Sequence, residues 1–183
     1  MWAGPPKDLL PGIVGLELVL VQTDRQVVWI GEAEVYPEGV LLAVSLNGRQ
    51  GAREGVERGP GTWRFGVQFS DGRKATSAGL GIFGRQGVTG VVASSGTGFA
   101  QRLGESPPPD GPLLSARGGR GNRQAWAQQY WLWPLPPPGE LVIACEWPDL
   151  EIEFTTATVP ADPLREAAKR ARPLWPADVQ HGN

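Results

Sequence analysis

Histidine and cysteine are nearly absent from this chain, with one of each among 183 residues. The histidine, His181, lies two residues from the end, so a Ser-His-Asp or Cys-His nucleophile would have to recruit a terminal tail. A single cysteine, Cys145, excludes an intramolecular disulfide and a multi-cysteine zinc site. Its setting in the apolar run LVIACEW reads as a small buried hydrophobe rather than a nucleophile. A GxSxG motif, a Walker A motif and a metal-binding histidine pair are all missing. Excess charge of either sign is missing too. The 17 basic and 19 acidic residues leave a net charge of -2, which provides no global field for nucleic acid or an acidic membrane. The longest apolar run, Ile13 to Val21, contains Glu17 and is about half the ~20 residues of a spanning helix. The first residues, MWAGPPKDLLPG, lack the basic-then-apolar layout of a signal peptide. The expectation from these absences is a cytoplasmic protein without membrane insertion and without a bound cofactor.

What the chain has in quantity is glycine, proline and tryptophan, at 26, 18 and 8 residues. Glycine and proline break helices and supply turns, which favours many short strands. Three strands joined by short turns open the chain, at Gly15 to Thr23, Gln26 to Tyr36 and Val40 to Leu46. In the second, Glu32 and Glu34 face one way and Ala33 and Val35 the other. Asn47 to Thr62 reads as a loop. Trp63 to Phe69 forms a strand that returns near Lys74 through the turn Ser70-Asp71-Gly72-Arg73, where Asp-Gly accepts positive φ. Ile82-Phe83 and Val88 to Ala93 are weak strand candidates, and Ser94 to Pro112 is a long connection. Strands follow at Leu113 to Ala116, Ala125 to Leu135, Glu140 to Trp147 and Leu150 to Val159, the last carrying Glu151 and Glu153 on a solvated face. Asp162 as N-cap and Pro163 as first helical residue predict a helix over 163–171, stopped by Pro173, with Leu174-Trp175 pinning the tail.

Eight or nine strands with one late helix predict an all-β fold, a two-sheet antiparallel β-sandwich of immunoglobulin-like or similar type. A closed β-barrel is the alternative. One domain is expected over 13–175, with flexible termini at 1–12 and 176–183.

Each chemical motif competes with a plainer reading. GLGIFG, Gly79 to Gly84, matches the dinucleotide fingerprint formally, but RQGVTGVV after it cannot build the helix that the pyrophosphate needs. RGGRGNR places Arg117, Arg120 and Arg123 in a hairpin tip able to hold a phosphate or an RNA backbone. The net charge disfavours nucleic acid as the partner. Trp131 and Trp133, two apart on a strand, share a face that can stack on a sugar ring, and Trp126 faces the other way. Trp29, Trp63 and Trp147 read as core fillers. The proline runs at Pro107 and Pro136 read as a candidate polyproline ligand and a rigid corner between sheets. Alternation explains the pairs Glu32/Glu34 and Glu151/Glu153 as strand surfaces, although paired carboxylates can serve acid–base chemistry.

Two stretches, RFGVQFSDGRKAT (Arg64 to Thr76) and YWLWPLPPPGELVIACEW (Tyr130 to Trp147), together with the tail REAAKRARPLWP, resemble uncharacterised β-rich proteins of high-GC Gram-positive (actinobacterial) genomes. The resemblance spans most of the chain and implies no assigned activity. Function is therefore read from the residues as a non-enzymatic binding or protein-interaction module. Its contact surface is assigned to Ser94 to Pro112, to Arg117, Arg120 and Arg123, and to Trp131 and Trp133. Another protein is the expected partner, with a carbohydrate or small ligand as alternative. Two further readings remain open: an enzyme using Glu32, Glu34 and Arg64, and a structural subunit of a larger assembly.

Overall fold

The computed structural model describes residues 2–49, 61–77, 109–122 and 124–175. The fingerprint at Gly79 to Gly84, the candidate strands at Ile82-Phe83 and Val88 to Ala93, nearly all of Ser94 to Pro112, Arg123 and His181 lie outside them. The described strands are β1 (Leu9–Leu10), β2 (Gly12–Gln22), β3 (Gln26–Tyr36), β4 (Gly39–Gly48), β5 (Arg64–Gln68) and β6 (Lys74–Thr76). They continue as β7 (Leu113–Gly121), β8 (Ala125–Trp133), β9 (Glu140–Trp147), β10 (Ile152–Pro160) and β11 (Arg172–Pro173). A 3₁₀ turn spans Pro148–Leu150, and the helix α1 is Asp162–Ala168.

Antiparallel pairing gives a five-stranded sheet in the order β2-β3-β4-β8-β7 and a four-stranded sheet in the order β10-β9-β5-β6. The two sheets pack face to face as a sandwich and do not close into a barrel. Alternation dictates the inward faces. Val28, Ile30, Ala33 and Val35 from β3 and Val40, Leu42, Val44 and Leu46 from β4 are fully buried. They meet Phe65 and Val67 of β5 and Leu141, Ile143 and Cys145 of β9 in one core.

Aromatic rings dominate the middle of that core. Trp63 stacks on Phe65 at 6.0 Å and meets Trp147 at 5.2 Å from its own layer and Trp126 of β8 at 5.6 Å from the other. Phe65 lies 4.7 Å from Tyr130. The Trp63 Nε1–H donates to Tyr130 Oη at 2.7 Å, so the one polar atom of the indole is satisfied across the sheet interface. Buried Gln26 of β3 makes a second tie by donating from Nε2 to the Leu150 carbonyl at 2.7 Å.

Two glycines permit close backbone approaches. A Cβ on Gly12 would lie 2.0 Å from the Ala167 carbonyl oxygen, so α1 rests directly on β2. One on Gly39 would lie 2.5 Å from the Leu132 carbonyl oxygen and 2.7 Å from the Trp131 ring. The helix buries Leu164, Ala167 and Ala168.

Several expectations need correction. Asp162 is the first helical residue, not the cap; Ala161 occupies the cap without a side-chain bond, its own N–H given to the Gly139 carbonyl. The helix ends at Ala168 rather than Ala171, where the chain turns to pair β11 with β1. Residues 2–12, expected to be flexible, are bonded to the fold: β1 pairs with β11, Leu174 N–H donates to the Asp8 carbonyl, and Ala3 is buried. The tail is pinned through that backbone and not through the Trp175 ring, which is 71% exposed.

Two predictions follow from the core. Tyr130→Phe leaves the Trp63 N–H buried without its acceptor and costs about 1–3 kcal/mol in urea unfolding; an unchanged midpoint contradicts the inter-sheet bond. Burial pushes the Cys145 thiol up from 9.0 to about 12 and, with the Glu34 carboxylate second, the Tyr36 phenol up from 10.0 to about 12. The folded state therefore keeps protons that the unfolded chain has lost, and stability falls as pH rises between about 9 and about 12. Urea midpoints measured from pH 8 to 11 check the sign, and a flat or rising profile contradicts it.

Candidate functional site

The outward face of the five-stranded sheet carries most of the residues singled out from sequence, and its rows are read from the strand register. One row runs Ile13, Glu34, Leu41, Trp131, Ser115. Another, nearer the opposite end of the strands, runs Val19, Trp29, Ser45, Ala127, Arg120. The two rows have different fates.

The N-terminal segment covers the first row around Trp131 and leaves Ile13 at its edge exposed. Trp131 is fully buried, its Nε1–H donating to the Trp2 carbonyl at 2.9 Å, with Tyr36 edge-on at 5.8 Å. Leu41, Leu9 and Trp133 complete this small outer cluster. Arg117 donates from Nη2 to the Ala3 carbonyl, and burial pulls its guanidinium below the usual arginine value. Its Nε and the Ser115 hydroxyl are buried and have no hydrogen-bond partner among the described residues. Trp131 and Arg117 are therefore occupied within the fold. Trp133 shares the face expected of it but is half-buried in the cluster.

The second row is open. Trp29 is 38% exposed on the outer face, which corrects its reading as a core filler. The cause is a β-bulge between Ile30 and Ala33, which lets Trp29 and Glu34 face the same way although one number is odd and the other even. The indole is held at both ends. Its Nε1–H donates to Asn47 Oδ1 at 2.8 Å, and its Cζ3 would lie 2.7 Å from a Cβ on Gly31. Beside it is an open depression of about 360 Å³, lined among others by Trp29, Ser45, Asn47, Arg120, Asn122 and Ala127. The floor positions Ser45 and Ala127 carry small side chains. Arg120 is exposed and has no ion-pair partner among the described residues.

Arg117 and Arg120 lie on a strand and not on a hairpin tip. β7 continues to Gly121 through a bulge between Ala116 and Gly119. The tip begins at Asn122, whose Oδ1 accepts the N–H groups of Gln124 and Ala125. Arg123 lies outside the described residues.

The carboxylate constellation is not assembled. Glu32 and Glu34 belong to the five-stranded sheet, whereas Arg64 lies on β5 in the other layer and pairs with Glu146. Glu34 accepts from the Tyr36 hydroxyl at 3.2 Å. Among the described residues no group of three His, Cys, Asp or Glu side chains is placed to hold a metal ion. Trp29, Ser45 and Asn47 are the site residues that the sequence reading missed. The available signal was Gly31, since an isolated glycine inside a strand marks a bulge or a close approach.

The two tryptophans should answer mutation differently. Trp131→Ala empties a fully packed site and costs about 3–5 kcal/mol in chemical unfolding, whereas Trp29→Ala costs under about 1 kcal/mol. Equal losses would contradict the division of this face. Compared with known proteins, the chain matches no family model, no curated protein and no solved structure.

Proposed function

We propose that the protein is a non-catalytic binding module whose ligand lies across the strands on the open half of the five-stranded sheet, over Trp29. The observation that carries this reading is that the Trp29 ring is exposed and yet held, by Asn47 at one end and against Gly31 at the other. An exposed aromatic ordinarily loses side-chain entropy when a ligand immobilises it. A ring fixed in advance avoids much of that cost, so it favours association.

The neighbouring groups supply direction. Ser45 and Ala127 keep the floor low enough for a flat ligand to reach the ring. Arg120 stands three strands away, roughly 14 Å at the usual interstrand spacing. Of the described residues assigned to the contact surface from sequence, Arg120 is the one that lines this depression.

The protein labelled with ¹⁵N at its tryptophan indoles supplies the test. A library of neutral sugars, nucleosides and aromatic fragments should move the Trp29 Nε1–H signal selectively, with Trp63 and Trp131 unmoved. Binders that shift other indoles and leave Trp29 untouched, or no binders at millimolar concentration, would count against this face.

A further inference from the structure

We infer that the ligand of this face is an acidic carbohydrate, a short run of linked pyranose rings with one ring on Trp29 and a uronic carboxylate on Arg120. This rests on the binding reading above and adds the chemical class.

Three features of the depression select that class. The indole offers a negative π-face, which attracts the weakly positive C–H groups along one side of a pyranose ring. The groups beside it are neutral and polar, as sugar hydroxyls require. Asn47 spends Oδ1 on the Trp29 N–H, which turns its amide NH₂ into the donor that remains for a ligand. The Ser45 hydroxyl lines the same floor and can both donate and accept. At the far end of the row stands Arg120, exposed and without an acidic partner among the described residues. A guanidinium fork of this kind binds a carboxylate with two parallel hydrogen bonds.

The same features weigh against the nearest competitor. A single-stranded nucleic acid could also lay a base on Trp29, but it brings a phosphate with every nucleotide and needs a groove of several cations. The row through Trp29 has one cation, and Glu32 and Glu34 sit farther along β3 on the same face, in a chain of net charge -2. A carbohydrate with one carboxylate within reach of one arginine matches that balance.

The experiment follows the ¹⁵N indole signal of Trp29 in the full chain. Tetrasaccharides of neutral pyranoses carrying a single glucuronate or galacturonate ring are titrated, each as the free acid and as its methyl ester, beside a uridylate octamer. At least one free acid should move the Trp29 signal, with its ester at least 10-fold weaker because the ester keeps the rings and loses the charge. Arg120→Gln should bring acid and ester to equal affinity, and Trp29→Ala, read by calorimetric titration, should abolish binding of both while lowering the circular dichroism melt by no more than a few degrees. Esters that bind as well as acids, an Arg120→Gln protein that still prefers the acid, binding of uridylate alone, or a silent Trp29 throughout the sugar panel would each overturn the inference. If the sugars are silent while neutral fragments still shift Trp29, the acidic-carbohydrate assignment falls and the binding face stands.

Discussion

The hydrogen bond from the Trp63 indole to the Tyr130 hydroxyl, set inside a cluster of large rings, is the contact on which the rest of the arrangement depends. A sandwich gains stability only if its two inner faces interlock, and here the faces are bridged by Trp63, Phe65 and Trp147 from one layer and Trp126 and Tyr130 from the other. Aromatic rings bury large areas, but each indole and phenol brings a polar atom that must find a partner. The bond satisfies the Trp63 N–H at the Tyr130 hydroxyl and ties one sheet to the other. Alternation and the bulges within each strand then set which positions point outward.

The outer face of the five-stranded sheet then divides in two. At the end near Gly12 and the Pro37-Glu38 turn, the N-terminal segment lies over Trp131 and Arg117 and is bonded to both, with the paired strands β1 and β11 tying the chain ends together. At the other end no described segment lies over the face around Trp29, which is partly exposed. One surface thus has a covered half and an open half. Its covered tryptophan is fully buried, while its open one is supported from the sheet and partly exposed.

Much of this fold was legible in the residues. The strand over Gln26–Tyr36 and that over Glu140–Trp147 follow directly from alternation and bounding turns, and the two-sheet sandwich follows from the number of strands and the scarcity of helix. The site was less legible, for a definite reason. Alternation carries a phase, and a bulge changes that phase without leaving a large mark in composition. Counting back from Ala33 and Val35 places Trp29 inside; the extra residue at Gly31 and Glu32 turns it outside. The bulge in β7 had a similar effect, since its glycines suggested a flexible tip where the chain continues as a strand carrying Arg117 and Arg120. The covering of Trp131 could not be read locally, because its partner Trp2 is 129 residues away in sequence.

The claim at the centre of this account is that Trp29 is exposed and rigid at the same time, and ¹⁵N relaxation of the indole N–H groups in the free protein tests it most directly. Held by Asn47 and Gly31, the Trp29 indole should show an order parameter close to the rigid value of about 0.85, while the 71% exposed Trp175 ring falls below about 0.6. A Trp29 indole as mobile as that of Trp175 would mean that the ring is merely exposed, and the argument for a prepared binding surface would fail with it.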